Sequence, residues 1–441
     1  MDCAKPAGIF QFSVVDELIH QSEEEFKPVP FPFELPKFEG TVNFGAEMKA
    51  KHFYLNESWT FLNHGAFGSA IKEGLKSSEM WREYCEQQPL KFMDREVFQH
   101  LIHGLRKLAR FVDADPADIV FVQNATTGIN AVVRSLVKKF QPGDSILMID
   151  VAYGTVKLVI EDATRGTGIT INEIKLPIPV TSPQEIVKLI EKSLQPSTKL
   201  AVLDHIPSNL AFIMPIKKLV DVCHERGVQV LVDGAHCLGS MKISMRELGA
   251  DYYAANGHKW LCSPKGTAFL YVARSHQHMI HPPVISWGFG HGFTSEFSWI
   301  ASMDYTPYLS FLTVLDFWDH YGQDKMIKYM YDTSKEAGQL LCEAWQTSLV
   351  ADISMCGPMA VVKLPEGVVP HSANLSPPYS DPAAHAVMNI LHFQYKIEVP
   401  VRVINGELYV RISAHVYNEL GEFKVLADAI LAIVKNNRTT Q

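Results

Sequence analysis

A chain of 441 residues with 47% hydrophobic and 20% charged residues has material for more than one domain and a large core. Its net charge of −8, with no basic stripe or tail, excludes a nucleic-acid partner. Its longest apolar runs, such as "AVLDHI" and "VQVLV", are far short of the ~20 residues needed to span a membrane.

Residues 21–40, "QSEEEFKPVPFPFELPKFEG", are rich in proline and acidic groups and predict an extended arm, part of an N-terminal segment over 1–60. "SEMWREYCEQ" and "REVFQHLIHGLRKLARFV" predict helices, the second with apolar residues at helical spacing. Strands and helices then alternate: strand "DIVFVQ", helix "NATTGINAVVRSLVKKF", strand "DSILMID", helix "GTVKLVIEDATRG", strand "ITINEIKL" and helix "SPQEIVKLIEKSL". Strand "TKLAVLDHI", helix "PIKKLVDVCHERG", strand "VQVLVDGAH" and the further strands "DYYAAN" and "GTAFLYVA" follow. Short apolar strands between longer helices predict an α/β fold with a mainly parallel sheet covered on both faces, in a large domain over 61–315. Beyond about residue 320 the texture changes. The helix "YDTSKEAGQLLCEAWQTSL" precedes "AVVKLP", "AAHAVMNILHFQ", "ELYVRISA" and a closing helix, "EFKVLADAILAIVKN". These predict a smaller α+β domain over 316–441, completed by part of the N-terminal arm.

In open α/β sheets ligands bind beyond the carboxyl ends of the strands, so the polar residues there are the candidates. After "DIVFVQ" come Asn124, Ala125, Thr126, Thr127 and Gly128 at a helix start, where free N–H groups and the dipole suit a phosphate. An ordinary helix cap explains that stretch equally well. Tyr153, after "DSILMID", could cover a flat ring or simply pack. Asp233 ends a valine-rich strand with His236 three residues on, and Lys259 follows the next strand in "NGHKW". A lysine there is costly, because burial disfavours its charged form. The ordered set of hydroxyls, aspartate and lysine fits pyridoxal phosphate. The lysine forms an imine with its aldehyde, the aspartate keeps the ring nitrogen protonated, and the helix end holds the phosphate. Metal ligation by Asp233 and His236 lacks a third ligand at a telling spacing, so no metal is expected. Seven scattered cysteines (Cys3, Cys85, Cys223, Cys237, Cys262, Cys342 and Cys356) form no CxxC or Cys/His pattern. With an N-terminus unlike a signal peptide, they predict a reducing, cytoplasmic setting.

From "FLNHGAFGSA" at residue 61 to "YVRISAHVYNELGE" at 409–422 the chain resembles the class V aminotransferase family of fold-type I pyridoxal phosphate enzymes. Within it the likeness is to the isopenicillin N epimerase-like and cysteine desulfurase-like branch, carried by "NATTGIN", "HIPSNLAFIMPI", "VDGAHCLG", "NGHKW" and "VRISAHVYN". The resemblance implies a homodimer with a shared active site and roles for individual residues. Lys259 matches the imine-forming lysine and α-proton base, Asp233 the partner of the pyridine nitrogen, and His236 a neighbour of the phenolate oxygen. Thr126, Thr127, Gly128 and His258 match the phosphate site, Asn256 lies beside them, Tyr153 stacks on the ring, and Asn209 approaches the cofactor oxygen or the substrate. Arg411 matches the arginine that grips the substrate carboxylate, with Asn63 and His64 on the substrate side.

Two departures matter. Near "FSWIASMDYTPYL", Ala301 and Ser302 stand where the branch carries Gly-Thr, whose threonine reaches the neighbouring subunit's phosphate, and Met303 stands where relatives often carry arginine. The stretch before Arg411, "YKIEVPVRVINGELYVR", holds no cysteine, which disfavours a persulfide-forming desulfurase. The expected activity is that of an enzyme working on an α-amino acid through an α-carbanion, as a C–S lyase or aminotransferase. Epimerase or racemase activity, or a non-catalytic structural role, are the alternatives. A nicotinamide dehydrogenase is excluded, since the glycines of "WGFGHGF" follow no strand and break the GxGxxG spacing.

Overall fold

The computed structural model describes residues 12–370, 373 and 375–439, so Cys3 lies outside the described residues. Seven strands form the main sheet: β1 (Ile119–Val122), β2 (Ser145–Ile149), β3 (Thr170–Ile174), β4 (Thr198–Asp204), β5 (Gln229–Asp233), β6 (Tyr252–Asn256) and β7 (Ala268–Val272). Their spatial order is β1-β7-β6-β5-β4-β2-β3. Only β7 runs against its neighbours; the pairings from β6 to β3 are parallel.

Alternation along the strands loads both faces. Val230 and Val232 join one apolar cluster while Leu231 joins the cluster on the opposite side. That two-sided burial is why these strands read as continuous hydrophobic runs. The helix α1 (Ala125–Val137) packs on the second face through Ile129, Val132 and Val133. Its Gly128 carries no side chain because an added Cβ would lie 3.2 Å from Ala254 Cβ.

The C-terminal part is smaller and antiparallel. Strands β8 (Met359–Lys363), β9 (Val401–Ile404) and β10 (Glu407–Ser413) form a sheet in the order β9-β10-β8. One face of it (Ala360, Val362, Val401, Leu408, Val410 and Ile412) packs against α2 (Gln323–Trp345), α3 (Asp381–Tyr395) and α4 (Leu420–Thr439). The opposite face, with Met359, Val361 and Ile404, joins the core of the large sheet. A two-residue parallel pairing of Thr60–Phe61 with Ile397–Glu398 ties the earlier chain to this part.

Residues 21–40 are largely without regular structure, as their prolines predict. Phe33 is packed edge-on against Trp81, with ring centroids 4.8 Å apart. The N-terminal segment also contains helices Phe12–His20 and Ala46–His52, which the prolines and charges nearby obscured. Buried Arg106 donates to the carbonyl oxygens of Leu18 (3.3 Å), Ile19 (3.4 Å) and Gln21 (2.8 Å). A helix leaves its last carbonyls without partners, and here a core arginine supplies them.

Candidate active site

A cavity of about 280 Å³ opens beyond the carboxyl ends of β4 and β5, lined among others by Thr126, Tyr153, Asp233, His236, Asn256, His258 and Lys259. A larger depression of about 890 Å³ beside α4 gathers none of these groups. The fold delivers the lysine by joining β6 to α1, since Asn256 Oδ1 accepts the Ala125 N–H at 2.8 Å. The segment after β6 then passes directly under the chain at Gly68, which has φ 66°. A Cβ there would lie 2.1 Å from His258 O and 2.8 Å from Lys259 Cα, so only glycine allows this approach.

Burial lowers the Lys259 ammonium to about 8; the Arg411 charge adds to this, and Asp233 opposes it. Its Nζ lies 3.3 Å from His236 Nε2. The Trp260 indole N–H donates to His236 Nδ1 at 3.3 Å. An indole nitrogen only donates, so a neutral His236 carries its proton on Nε2. Burial holds His236 well below its usual range, as do the Lys259 and Arg411 charges. The imidazole therefore presents an N–H donor toward the cavity, one that an amine accepts and an ammonium cannot.

Asp233 is buried, and one carboxyl oxygen accepts the Ala235 N–H at 2.9 Å. Asp204 sits beside it: the two are register partners at the ends of β4 and β5, and both line the cavity. Burial pushes the Asp204 carboxyl well up, helped by the Asp233 charge. Burial also raises Asp233, opposed by the Ala235 N–H and Lys259. Sequence reasoning missed Asp204; its signal was a charged residue closing the run "LAVLD".

At the helix end, the Thr126 hydroxyl has no hydrogen-bond partner among the described residues and faces the cavity beside His258. Thr127 does not line the cavity; its N–H (2.8 Å) and hydroxyl (3.1 Å) both donate to Asn124 Oδ1, a helix cap. Asn209 is exposed and off the cavity wall, while its neighbour Ser208 lines it. Ser302 is likewise exposed, away from the cavity of its own chain. Ala301 beside it takes φ 90°, a conformation suited to the glycine of the related loop.

Arg411 is 1% exposed and reaches across from β10. It donates to Ser208 O (2.8 Å), Ser208 Oγ (3.2 Å) and Asn63 Oδ1 (3.1 Å). Its Nε has no partner, and no carboxylate pairs with it among the described residues. Burial lowers it to about 9, helped by the Arg402 charge.

His64 lies under the site rather than in it. Tyr417 donates to its Nδ1 at 2.8 Å, and its Nε2–H donates to Lys259 O at 3.0 Å. His64, Cys262 and His415 offer ligand atoms within 4.8 Å of one another, as a metal site would. But His415 Nε2–H also donates to a carbonyl, Trp260 O at 3.1 Å, so both nitrogens nearest the thiol carry hydrogens. The trio braces the lysine segment through its backbone.

This donor set fits pyridoxal phosphate: an amine held near neutrality, a carboxyl for the ring nitrogen, an aromatic face at Tyr153 and an unpartnered hydroxyl at a helix start. The fold and the site define a fold-type I pyridoxal-phosphate-dependent enzyme. Residues 95–297 match the family model Aminotransferase class-V. L-cysteine desulfhydrase of Arabidopsis thaliana is 32% identical over 86% of this chain and 89% of its own length. Isopenicillin N epimerase of Amycolatopsis lactamdurans is 27% identical over 79% of this chain and 88% of its own. A variant of C-DES, with glycine covalently linked to its PLP cofactor, superposes with a TM-score of 0.72 at 21% identity, covering 85% of this chain and 96% of its own. The chain belongs to the class V aminotransferase family, and its cofactor is pyridoxal phosphate.

Proposed function

We propose that the enzyme is a C–S lyase that eliminates the sulfur substituent of L-cysteine or a cysteine derivative, leaving pyruvate and ammonia. The observation that carries this reading is Arg411, a buried guanidinium whose Nε is unpartnered and which pairs with no carboxylate among the described residues, close enough to Lys259 for its charge to help lower the lysine. A bidentate contact with a substrate carboxylate supplies the missing anion. When bound, pyridoxal phosphate supplies an electron sink for the charge developing at the substrate α-carbon. Lys259 Nζ, whose charged form burial disfavours so that the neutral amine is within reach near pH 8, takes the α-proton. His236 Nε2–H, 3.3 Å from that nitrogen, orients it and offers a donor to developing negative charge. Asp233 holds the ring nitrogen, and Asp204 beside it keeps the pair from carrying two full charges. Thr126 and His258 contact the phosphate, and Tyr153 covers the ring.

The identity to a cysteine desulfhydrase supports elimination over epimerisation. Among the described residues no cysteine lines the cavity, which argues against a persulfide-forming route. We also propose a cytoplasmic homodimer in which Ser302 reaches the phosphate site of the second copy. Exposed Val284, Ile285, Trp287 and Phe289, close before that loop, support a covered surface, and six free cysteines support a reducing compartment. The division into an arm over 1–60, a large domain over 61–315 and a small domain over 316–441 is part of this reading.

The test is the purified holoenzyme incubated with L-cysteine and S-substituted cysteines beside Lys259→Ala and Arg411→Ala. Sulfide or thiol released with pyruvate is expected, absent along with the visible cofactor band in Lys259→Ala. Arg411→Ala should keep the band and raise KM by roughly 10–100-fold, the ~1.5–3 kcal/mol of a charge-assisted contact. Amino-group transfer without release of sulfur would overturn the lyase reading.

A further inference from the structure

Arg411 has a second arginine beside it that no role above uses. In the antiparallel β9–β10 pair Arg402 lies opposite Tyr409, so Arg411, two residues on, is its diagonal neighbour on the same face. Residues so related are about 7–8 Å apart. That face is the one whose Ile404 and Tyr409 turn toward the large sheet, while Val401, Leu408 and Val410 face the small-domain helices.

Arg402 is half-buried and poorly satisfied. Among the described residues its buried Nε has no partner, and its one hydrogen bond, Nη1 to Val401 O, is long at 3.4 Å. It forms no ion pair among the described residues, although exposed Asp381 is near enough to favour its charge. Tyr153, on the cavity wall, also acts on it. Two guanidiniums on one sheet face, each with an orphaned Nε and neither with a bonded carboxylate among the described residues, repel one another in the free protein. One anion, held by Arg411, leaves the second guanidinium uncompensated; a ligand with two anionic groups satisfies both.

We propose that Arg402 is a specificity-determining residue that binds a distal anionic group of the substrate, so that the enzyme prefers amino acids carrying a second acidic function. This inference rests on the reading of Arg411 as the α-carboxylate site. With the α-carboxylate on Arg411, the diagonal spacing sets the second group a few bonds beyond Cβ. The substrate class is then cysteine derivatives whose sulfur substituent ends in a carboxylate or similar anion.

The experiment uses amino acids that cannot undergo C–S cleavage. α-Aminoadipate and norleucine share a chain and differ in a distal carboxylate; their affinities are read from the change they cause in the visible cofactor band of the holoenzyme. The wild type should favour α-aminoadipate about tenfold or more, and Arg402→Gln should reduce that ratio about tenfold, with Arg402→Lys between. A ratio near one in the wild type, or a ratio unchanged in Arg402→Gln, overturns the proposal. A merely structural arginine would weaken both ligands together and leave the ratio alone. Since this readout needs no elimination, failure of the same preparation to release sulfur from cysteine derivatives would refute the lyase reading and leave the distal-anion site standing.

Discussion

Trp260→Phe tests the hydrogen bond that sets the His236 tautomer. Trp260 is fully buried, and phenylalanine keeps most of its volume while deleting the indole N–H that donates to His236 Nδ1 at 3.3 Å. His236 is then free to carry its proton on Nδ1, and its bare Nε2, 3.3 Å from Lys259 Nζ, accepts from the ammonium. A hydrogen bond to the charged form raises a lysine pKa. One such bond is worth about 0.5–1.5 kcal/mol net. At ~1.36 kcal/mol per pKa unit, Lys259 should move up from about 8 by roughly half a unit to one unit. The assay is the rate at which cofactor-stripped protein captures pyridoxal phosphate, followed by the rise of the visible band across pH 6–10. Only the neutral amine attacks the aldehyde, so the midpoint of that profile reports the lysine. Nitrogen NMR of His236 should find the wild-type proton on Nε2. An unshifted midpoint in the variant, or a wild-type proton on Nδ1, would refute the reasoning.

Asp204→Asn should stabilise the cofactor-free protein at pH 8 and not at pH 4. The folded Asp204 carboxyl lies above its ordinary 3.8, so the folded state binds this proton more tightly. Its cost is absent in acid and grows as pH rises through the unfolded and then the folded value; a melting-temperature gain equal at both pH values would be the contrary result. Gly68→Ala should lose about 1–3 kcal/mol to strain at φ 66° and release pyridoxal phosphate, because the clash is with the backbone of His258 and Lys259. Thermal unfolding and cofactor retention check this, and a wild-type melting temperature would show that the close approach is not maintained.

The legible parts of the sequence were those written in local periodicity. Runs such as Val230–Val232 and Leu200–Leu203 are buried on both faces, and their uninterrupted apolar character announces a parallel sheet before any pairing is known. Strand ends were equally readable, because Asp233 and Lys259 each follow such a run. Less readable was any residue whose meaning lies in a partner distant in the chain. Thr127 and Asn209 stand in the right motifs, yet one donates to the Asn124 helix cap and the other is exposed, because one residue of shift at a helix start or turn redirects a side chain. His64 looked like a substrate group and turned out to brace the lysine backbone 195 positions away.

Composition, periodicity and motif order alone determined the class of fold, the order of its strands and helices along the chain, and the identity of the cofactor, with Lys259 and Asp233 as candidates to hold it. These follow from local physics: which segments must bury both faces, and which residue types an imine, a pyridinium and a phosphate require. The tertiary structure alone decided that Asp204 shares the floor of the cavity with Asp233, that Trp260 sets the proton on His236, and that Arg402 stands beside Arg411. Each of these is a pairing across strands or turns. Register and through-space charge create it, and neither leaves a mark on the spacing of residues along the chain.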